Sequence, residues 1–174
     1  MSISKKGVSY VQRQKKFTHK DDFRTPSFIF EYLNSEFGKI EYDAACTPGL
    51  NNLATPLKLE EEWPSNSIVY SNPPFDSQSL IKWIKKGYNH TLNGGTHILL
   101  MPNKTCQVFF NELFCYFDKL IFLGGRLDFS GPYSTKGGKS MAGTIIGIQT
   151  AKNSLLSYPN IEALKIRDLK RRYS

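Results

Sequence analysis

The chain has 174 residues, 40% of them hydrophobic, and its 23 lysines and arginines outnumber 15 acidic residues for a formal net charge of +8. This length fits one globular domain that buries a core without disulfide or metal staples, and no apolar run approaches the ~20 residues of a membrane span. Three scattered cysteines without a Cys/His cluster argue against a disulfide framework and against a zinc site, and no metal is predicted.

The positive charge is concentrated at the two ends of the chain. Residues 1–20 hold six lysines and arginines and no acidic residue, and residues 165–172 hold five against Asp168. Such ends suit the phosphates of nucleic acid, although solubilising tails have the same composition. We therefore expect a mobile basic arm at 1–20, a folded domain at 21–150 and a basic extension at 151–174, with nucleic acid as the first candidate partner.

Apolar periodicity begins close to Thr25. Thr25 is predicted to cap a helix that has Pro26 at its first position and that ends at Gly38. Residues 39–44 read as a short strand that ends near Asp43. The first helix therefore leads directly into the first strand of a sheet.

Strands and helices then alternate along the rest of the chain. Short apolar runs predict the strands, and apolar residues at helical spacing predict the helices. The further predicted elements are a strand at 67–71, a helix capped by Asp76 or Ser77, a strand at 96–101, a helix at 105–116, strands at 118–123 and 141–149, and a basic helix at 160–172.

This alternation predicts a single-domain α/β fold with a parallel sheet and helices on its faces. Ligands of such sheets bind at the carboxyl ends of the strands. Four residues with chemical potential follow predicted strands, namely Asp43, Asn72, Pro102 and Arg126. The sequence therefore places the candidate site at one edge of the sheet.

The most informative motif is Asn72-Pro73-Pro74-Phe75, directly after a predicted strand. Two consecutive prolines give a rigid, extended backbone, so the Pro73 carbonyl and the Asn72 amide oxygen become two adjacent acceptors. Two such acceptors suit the two hydrogens of an exocyclic amino group, and Phe75 offers a face on which a flipped base can stack. An ordinary strand-ending turn has the same composition, because Asn-Pro and Pro-Pro mark many loops.

This tetrapeptide resembles the catalytic motif of amino-methyltransferases that act on DNA. The resemblance extends, in order, over roughly residues 21–150 and is to the phage-type DNA N-6-adenine methyltransferase family, small single-domain enzymes often carried by phages and mobile elements. The segments that carry it are Arg24-Thr25-Pro26, Glu36-Phe37-Gly38, Tyr42-Asp43-Ala44-Ala45, Asn72-Pro73-Pro74-Phe75, Leu100-Met101-Pro102-Asn103 and Gly124-Gly125-Arg126-Leu127-Asp128-Phe129.

The resemblance implies a Rossmann-like methyltransferase sheet, shortened at 45–66, with S-adenosylmethionine as cofactor. It implies that the 72–75 tetrapeptide is catalytic and that the methyl group passes to N6 of adenine in DNA. The Gly-rich cofactor turn of larger methyltransferases is absent. The residues implied to bind the cofactor are Thr25, Pro26, Asp43, Ala44 and Ala45.

Three cations are candidates for nucleic-acid contacts. Arg126 follows two glycines that let a backbone approach closely, although pairing with Asp128 or Asp118 would explain it equally well. Lys136 and Lys139 lie in a Gly-rich loop that suits phosphate contacts.

Several alternatives remain at this stage. Cytosine N4, RNA or a protein glutamine amide could be served by the same acceptors, and a degenerate methyltransferase that only binds nucleic acid is a rival from another class. No separate target-recognition domain is apparent, so recognition falls to residues 130–140, to the basic termini or to a partner subunit, unless specificity is low. The resemblance and the free thiols imply the cytoplasm of a bacterial host or of a phage-infected cell.

Overall fold

In the computed structural model, the residues described are 24–46, 54–129, 138–139, 143–151 and 158–174. The predicted arm at 1–20 lies outside them. The described helices are α1 (Ser27–Phe37), α2 (Ser77–Thr91), α3 (Val108–Leu113) and α4 (Ile166–Tyr173), and a 3-10 turn covers Phe114–Tyr116. The described strands are β1 (Tyr42–Asp43), β2 (Thr55–Pro56), β3 (Ile68–Ser71), β4 (Thr96–Pro102), β5 (Lys119–Gly124), β6 (Asp128–Phe129), β7 (Gly138–Lys139), β8 (Thr144–Gln149) and β9 (Asn160–Lys165).

Seven strands form one sheet in the order β2-β1-β3-β4-β8-β5-β9, and β6 and β7 form a small separate ladder. β2, β1, β3 and β4 run parallel, β8 is antiparallel to both β4 and β5, and β9 is parallel to β5. The carboxyl ends of β1, β3, β4, β5 and β9 therefore share one edge. The predicted α/β class is confirmed, but the expectation of an all-parallel sheet is wrong at β8.

Helices cover both faces of the sheet, as predicted. Side chains alternate along β4, so that Ile98 and Leu100 face one layer and Leu99 and Met101 face the other. The first layer buries α1 and α4, and the second buries α2 and α3. Within the described residues, no helix combines the length and the apolar composition that crossing a membrane requires.

Two predicted boundaries are corrected at the start of the domain. α1 begins at Ser27 after Pro26, and no side chain caps it, so Thr25 is not its cap. Gly38 does end the helix, with φ of 97° and its N–H donated to the Asn34 carbonyl. The predicted strand at 39–44 shortens to Tyr42–Asp43.

The predicted helix at 160–172 is wrong in its first half. Residues 160–165 form β9, an edge strand that pairs along the whole of β5, and only Ile166–Tyr173 is helical. The segment expected as a basic C-terminal extension therefore contributes one strand to the sheet and one helix to the first layer. The sheet edge supplies unpaired backbone groups that a helix at this position would leave unsatisfied.

Candidate active site

The 72–75 loop leaves the sheet where β3 ends, between β1 and β4. On its far side Asp76 caps α2, because the Ser79 N–H donates to the Asp76 carboxylate over 2.8 Å. Hydrogen bonds from Ser79 hold the pKa of Asp76 below its usual value. A buried strand on one side and a capped helix on the other fix both ends of the loop.

Two contacts with residues far away in the sequence fix the aromatic end of the loop. Lys104 Nζ donates to the Phe75 carbonyl oxygen over 2.6 Å. The Phe75 ring meets the buried Phe129 ring edge-on, with centroids 6.4 Å apart. Phe75 itself is only partly buried, which leaves part of its ring open for stacking. The sequence analysis did not single out Lys104, although it follows β4 as the other candidates follow their strands.

The Asn72 amide contacts Thr25. Asn72 Nδ2 donates to Thr25 Oγ1 over 3.4 Å, and Thr25 Oγ1 lies 2.6 Å from the Tyr70 hydroxyl. Tyr70 is fully buried, and burial raises its pKa well above the usual value, so the phenol stays protonated. Because Asn72 Nδ2 donates to Thr25, the acceptor Oδ1 at the other end of the amide points away from Thr25.

A buried network of hydrogen bonds lies next to the loop, and the sequence analysis did not predict it. Ser71 Oγ lies 2.7 Å from His97 Nε2, and His97 Nδ1 lies 2.7 Å from Gln149 Oε1. Because Gln149 donates its amide hydrogens to backbone carbonyls, His97 Nδ1 must donate to Oε1, and His97 Nε2 accepts from Ser71. Burial lowers the pKa of His97 to about 4, so the ring is neutral near pH 7. This hydrogen-bond network connects β3, β4 and β8 next to Asn72.

Asp43 ends β1 directly beside Tyr70 of β3. Burial raises the pKa of Asp43 to about 6, while a hydrogen bond from the Ala45 N–H over 3.2 Å acts in the opposite direction. The buried Ala44 donates its N–H to the Tyr70 carbonyl over 2.8 Å. Cys46, which donates to the Asp43 carbonyl, has its pKa raised by burial to about 11, so its thiol is not activated.

Arg24 brings a positively charged group to this part of the chain. The Nε of Arg24, next to Thr25 in the chain, is buried without a hydrogen-bond partner among the described residues. A carboxylate that accepts ammonium or ribose hydroxyl hydrogens, together with a guanidinium that binds a carboxylate, matches the functional groups of S-adenosylmethionine. The residues at the ends of β1 and before α1 thus fit that cofactor.

The remaining predicted residues are placed as follows. Arg126 is exposed beyond β5 and does not pair with Asp128, whose carboxylate lies 3.6 Å from Lys170 Nζ. Lys139 belongs to β7, but its side chain lies outside the described part, as does all of Lys136. The structure therefore brings Thr25, Asn72 and Asp43 together at the centre of the edge and sets Arg126 apart from them.

Trp63 belongs to the core of the second layer. It is buried, its Nε1 donates to the Lys58 carbonyl over 2.9 Å, and its ring packs 5.1 Å from the His97 ring. The neighbouring Glu61 accepts from the Lys58 N–H over 3.0 Å. Residues 58–63 therefore pack against the second layer of the core.

Comparisons with known proteins give one family. The model described as "DNA N-6-adenine-methyltransferase (Dam)" matches residues 12–167. No curated protein matches the chain. A solved protein described as a class I S-adenosylmethionine-dependent methyltransferase from Listeria monocytogenes is 14% identical, with a TM-score of 0.46. That match covers 81% of this chain and 54% of the solved one, so the chain spans about half the length of that protein.

Proposed function

Because the chain belongs to the DNA N-6-adenine-methyltransferase (Dam) family, whose enzymes use S-adenosylmethionine, we propose that it methylates the N6 amino group of adenine in DNA. The observation that carries the proposal is the amide of Asn72, which Thr25 holds beside two prolines at the centre of the sheet edge. The net charge of +8 supports a polyanionic substrate.

Asn72 and Pro73 hold the target amino group in this proposal. Its lone pair is delocalised into the purine ring, which makes the nitrogen a poor nucleophile. Oδ1 of Asn72 and the carbonyl of Pro73 each accept one N–H, which shifts electron density onto the nitrogen and favours a pyramidal geometry. Pro74 keeps the backbone rigid, and Phe75 stacks on the flipped base, worth about 1–3 kcal/mol.

Cofactor binding is assigned to the neighbouring strand end. Asp43 takes the ammonium or ribose hydroxyls, Ala44 and Ala45 line the turn, and Thr25 and Pro26 lie toward the methionine part. When bound, S-adenosylmethionine supplies an electrophilic methyl group on sulfur. Arg126, Lys136 and Lys139 are proposed to contact DNA, and target recognition falls to residues 130–140 or to a partner subunit.

The test is transfer of labelled methyl from S-adenosylmethionine to duplex and single-stranded DNA. We expect N6-methyladenine from the wild type and a loss of about 10²–10³ in kcat for Asn72→Ala, because one of two acceptors is removed. Asn72→Asp keeps an acceptor oxygen and should retain more activity than Asn72→Ala.

Other outcomes separate the rival activities. Label on cytosine or on RNA would move the substrate and keep the chemistry of the loop. A folded protein that labels no nucleic acid and gains no thermal stability from S-adenosylhomocysteine would sink the enzyme proposal, and the protein would then be a nucleic-acid-binding relic.

A further inference from the structure

A basic cleft lies at the same edge of the sheet as the candidate active site but at the far end of the strand order. It has a volume of about 470 Å³ and lies where β5 and β9 end and α4 begins. The residues that line it and that matter here are Gly124, Gly125, Arg126, Lys165, Arg167 and Lys170. We refer to these six residues as the terminal cleft.

The terminal cleft carries more positive charge than its own acids neutralise. All four of its cations are exposed. Lys170 lies 3.6 Å from Asp128, and Arg167 lies 3.5 Å from Asp168, but both are exposed pairs that contribute little. Arg126 and Lys165 have no ion-pair partner within the described parts of the chain. Four clustered cations of this kind favour an anion with several oxygens.

The backbone of the cleft suits a phosphate in particular. Gly125 has φ of 118°, a conformation that favours glycine, and both Gly124 and Gly125 are exposed at the mouth of the cleft. α4 begins in the cleft after Lys165 with no side-chain cap, a kind of helix end at which N–H groups can bind an anion, and Asp168 in the same turn pairs with Arg167. Ile166 and Leu169 are buried in the core and anchor the helix. The cleft is therefore a fixed part of the fold.

The position of the cleft fits a DNA strand that enters the candidate active site. Three strand spacings separate β3 from β5 and four separate β3 from β9, which corresponds to roughly 14–19 Å. DNA advances about 3.4 Å per base pair, so the cleft lies roughly four to six base pairs from a base at Asn72. Only two residues separate Arg126 from Phe129, whose ring contacts Phe75.

We propose that the terminal cleft binds backbone phosphates of the DNA that flanks the target base. This inference rests on the proposed function only for the position of the flipped base, because phosphate binding by the cleft is measured without cofactor or methyl transfer. The cleft thus adds Lys165, Arg167 and Lys170 to the DNA-contacting residues, all from the last two elements of the chain.

The experiment compares two double variants with equal loss of charge. Arg126→Gln/Arg167→Gln removes two cleft cations, and Lys82→Gln/Lys85→Gln removes two exposed lysines of α2, which packs on the opposite layer. Binding to a fluorescent duplex that extends one helical turn on each side of an adenine is measured by anisotropy at several salt concentrations. We expect the cleft variant to bind roughly tenfold more weakly and to lower the slope of log K against log salt by about 1.8, with the control unchanged.

The outcomes separate this inference from the proposed function. If all three proteins bind the duplex equally and show equal slopes of log K against log salt, the cleft does not bind DNA. The proposed methyl transfer is unaffected by that result. If DNA binding depends on the cleft cations but the protein methylates no nucleic acid, phosphate binding by the cleft is supported and the proposed methyltransferase activity is contradicted. If inorganic phosphate raises Tm of the wild type but not of the cleft variant, while duplex binding is equal, the site holds free phosphate and the DNA assignment fails.

Discussion

The hydroxyl of Thr25 joins the two ends of the candidate site. The sequence suggested a helix cap, but in the structure it contacts Tyr70 and Asn72, which are 45 and 47 residues away. A buried phenol that stays protonated fixes this hydroxyl, and the hydroxyl in turn sets which end of the Asn72 amide is presented. In the proposed function Thr25 is therefore a positioning residue for the Asn72 amide as well as a neighbour of the cofactor.

Replacing Thr25 with Val, which removes the hydroxyl but keeps the shape, should lower kcat by about tenfold. The contacts of the hydroxyl with Asn72 and with Tyr70 would both be lost, so the Asn72 amide could rotate, and a barrier higher by about 1.4 kcal/mol corresponds to a tenfold lower rate. KM for S-adenosylmethionine should change less than kcat, and Thr25→Ser should restore activity. Steady-state kinetics of the three proteins are the measurement, and an unchanged kcat in Thr25→Val would remove the positioning role.

If Asp43 binds the cofactor as proposed, its raised pKa makes cofactor affinity depend on pH. Its pKa is raised to about 6, so the free protein holds it largely protonated below that pH. Only the ionised carboxylate attracts an ammonium group, so cofactor binding must displace that proton. Affinity for S-adenosylhomocysteine should rise up to pH 6 and level off near pH 7, with a limiting change of about tenfold per pH unit.

Calorimetric titration of S-adenosylhomocysteine between pH 5 and pH 8 measures this effect. Asp43→Asn provides the comparison, because an amide does not titrate, and it should bind weakly with a flat pH profile. A wild-type profile that is equally flat would mean that Asp43 does not contact the ligand.

At the scale of elements, α2 lies unusually close to the sheet. A Cβ at Gly87 would collide with the side chains of His97 and Gln149. Glycine in mid-helix normally costs about 0.5–1 kcal/mol relative to alanine. Because Gly87 has no side chain, α2 can pack directly over the buried hydrogen-bond network of Ser71, His97 and Gln149. Close packing therefore outweighs helix propensity at this position.

Gly87→Ala should therefore destabilise the protein, although propensity alone predicts the opposite sign. Overpacking of this kind costs about 2 kcal/mol, which corresponds to a Tm lower by roughly 4–8 °C. Asn89→Ala, on the exposed side of the same helix, should change Tm only slightly. Thermal unfolding of the two variants decides the matter, and a higher Tm for Gly87→Ala would show that the helix can move away.

Elements with strong local signals were predictable from the sequence. The strand before Asn72, the cap at Asp76 and the end of α1 at Gly38 all follow from residues within one or two turns. β9 was not predictable, because its side chains are mostly exposed and only the edge of β5 makes it a strand. The direction of β8 was hidden because buried strands are continuous apolar runs in either orientation.

At the scale of the whole molecule, the rule that ligands bind at the carboxyl ends of strands correctly gathered Asp43 and Asn72 at one edge. Their partners could not be predicted, because these depend on the register between strands far apart in sequence. His97 lies opposite Gln149 and Tyr70 opposite Asp43 only in the assembled sheet. The sequence therefore predicted where the candidate residues lie better than it predicted the groups that hydrogen-bond to them.

The place of β8 between β4 and β5 has a consequence for the chain as it leaves the ribosome. The 72–75 loop and both flanking strands emerge long before residues 144–149, and until then β4 has an open, apolar edge. A message interrupted by a stop codon ahead of Thr144 would encode the whole 72–75 loop and still yield a polypeptide disposed to aggregate. The sheet beside the 72–75 loop therefore closes only after residues 144–149 have been synthesised.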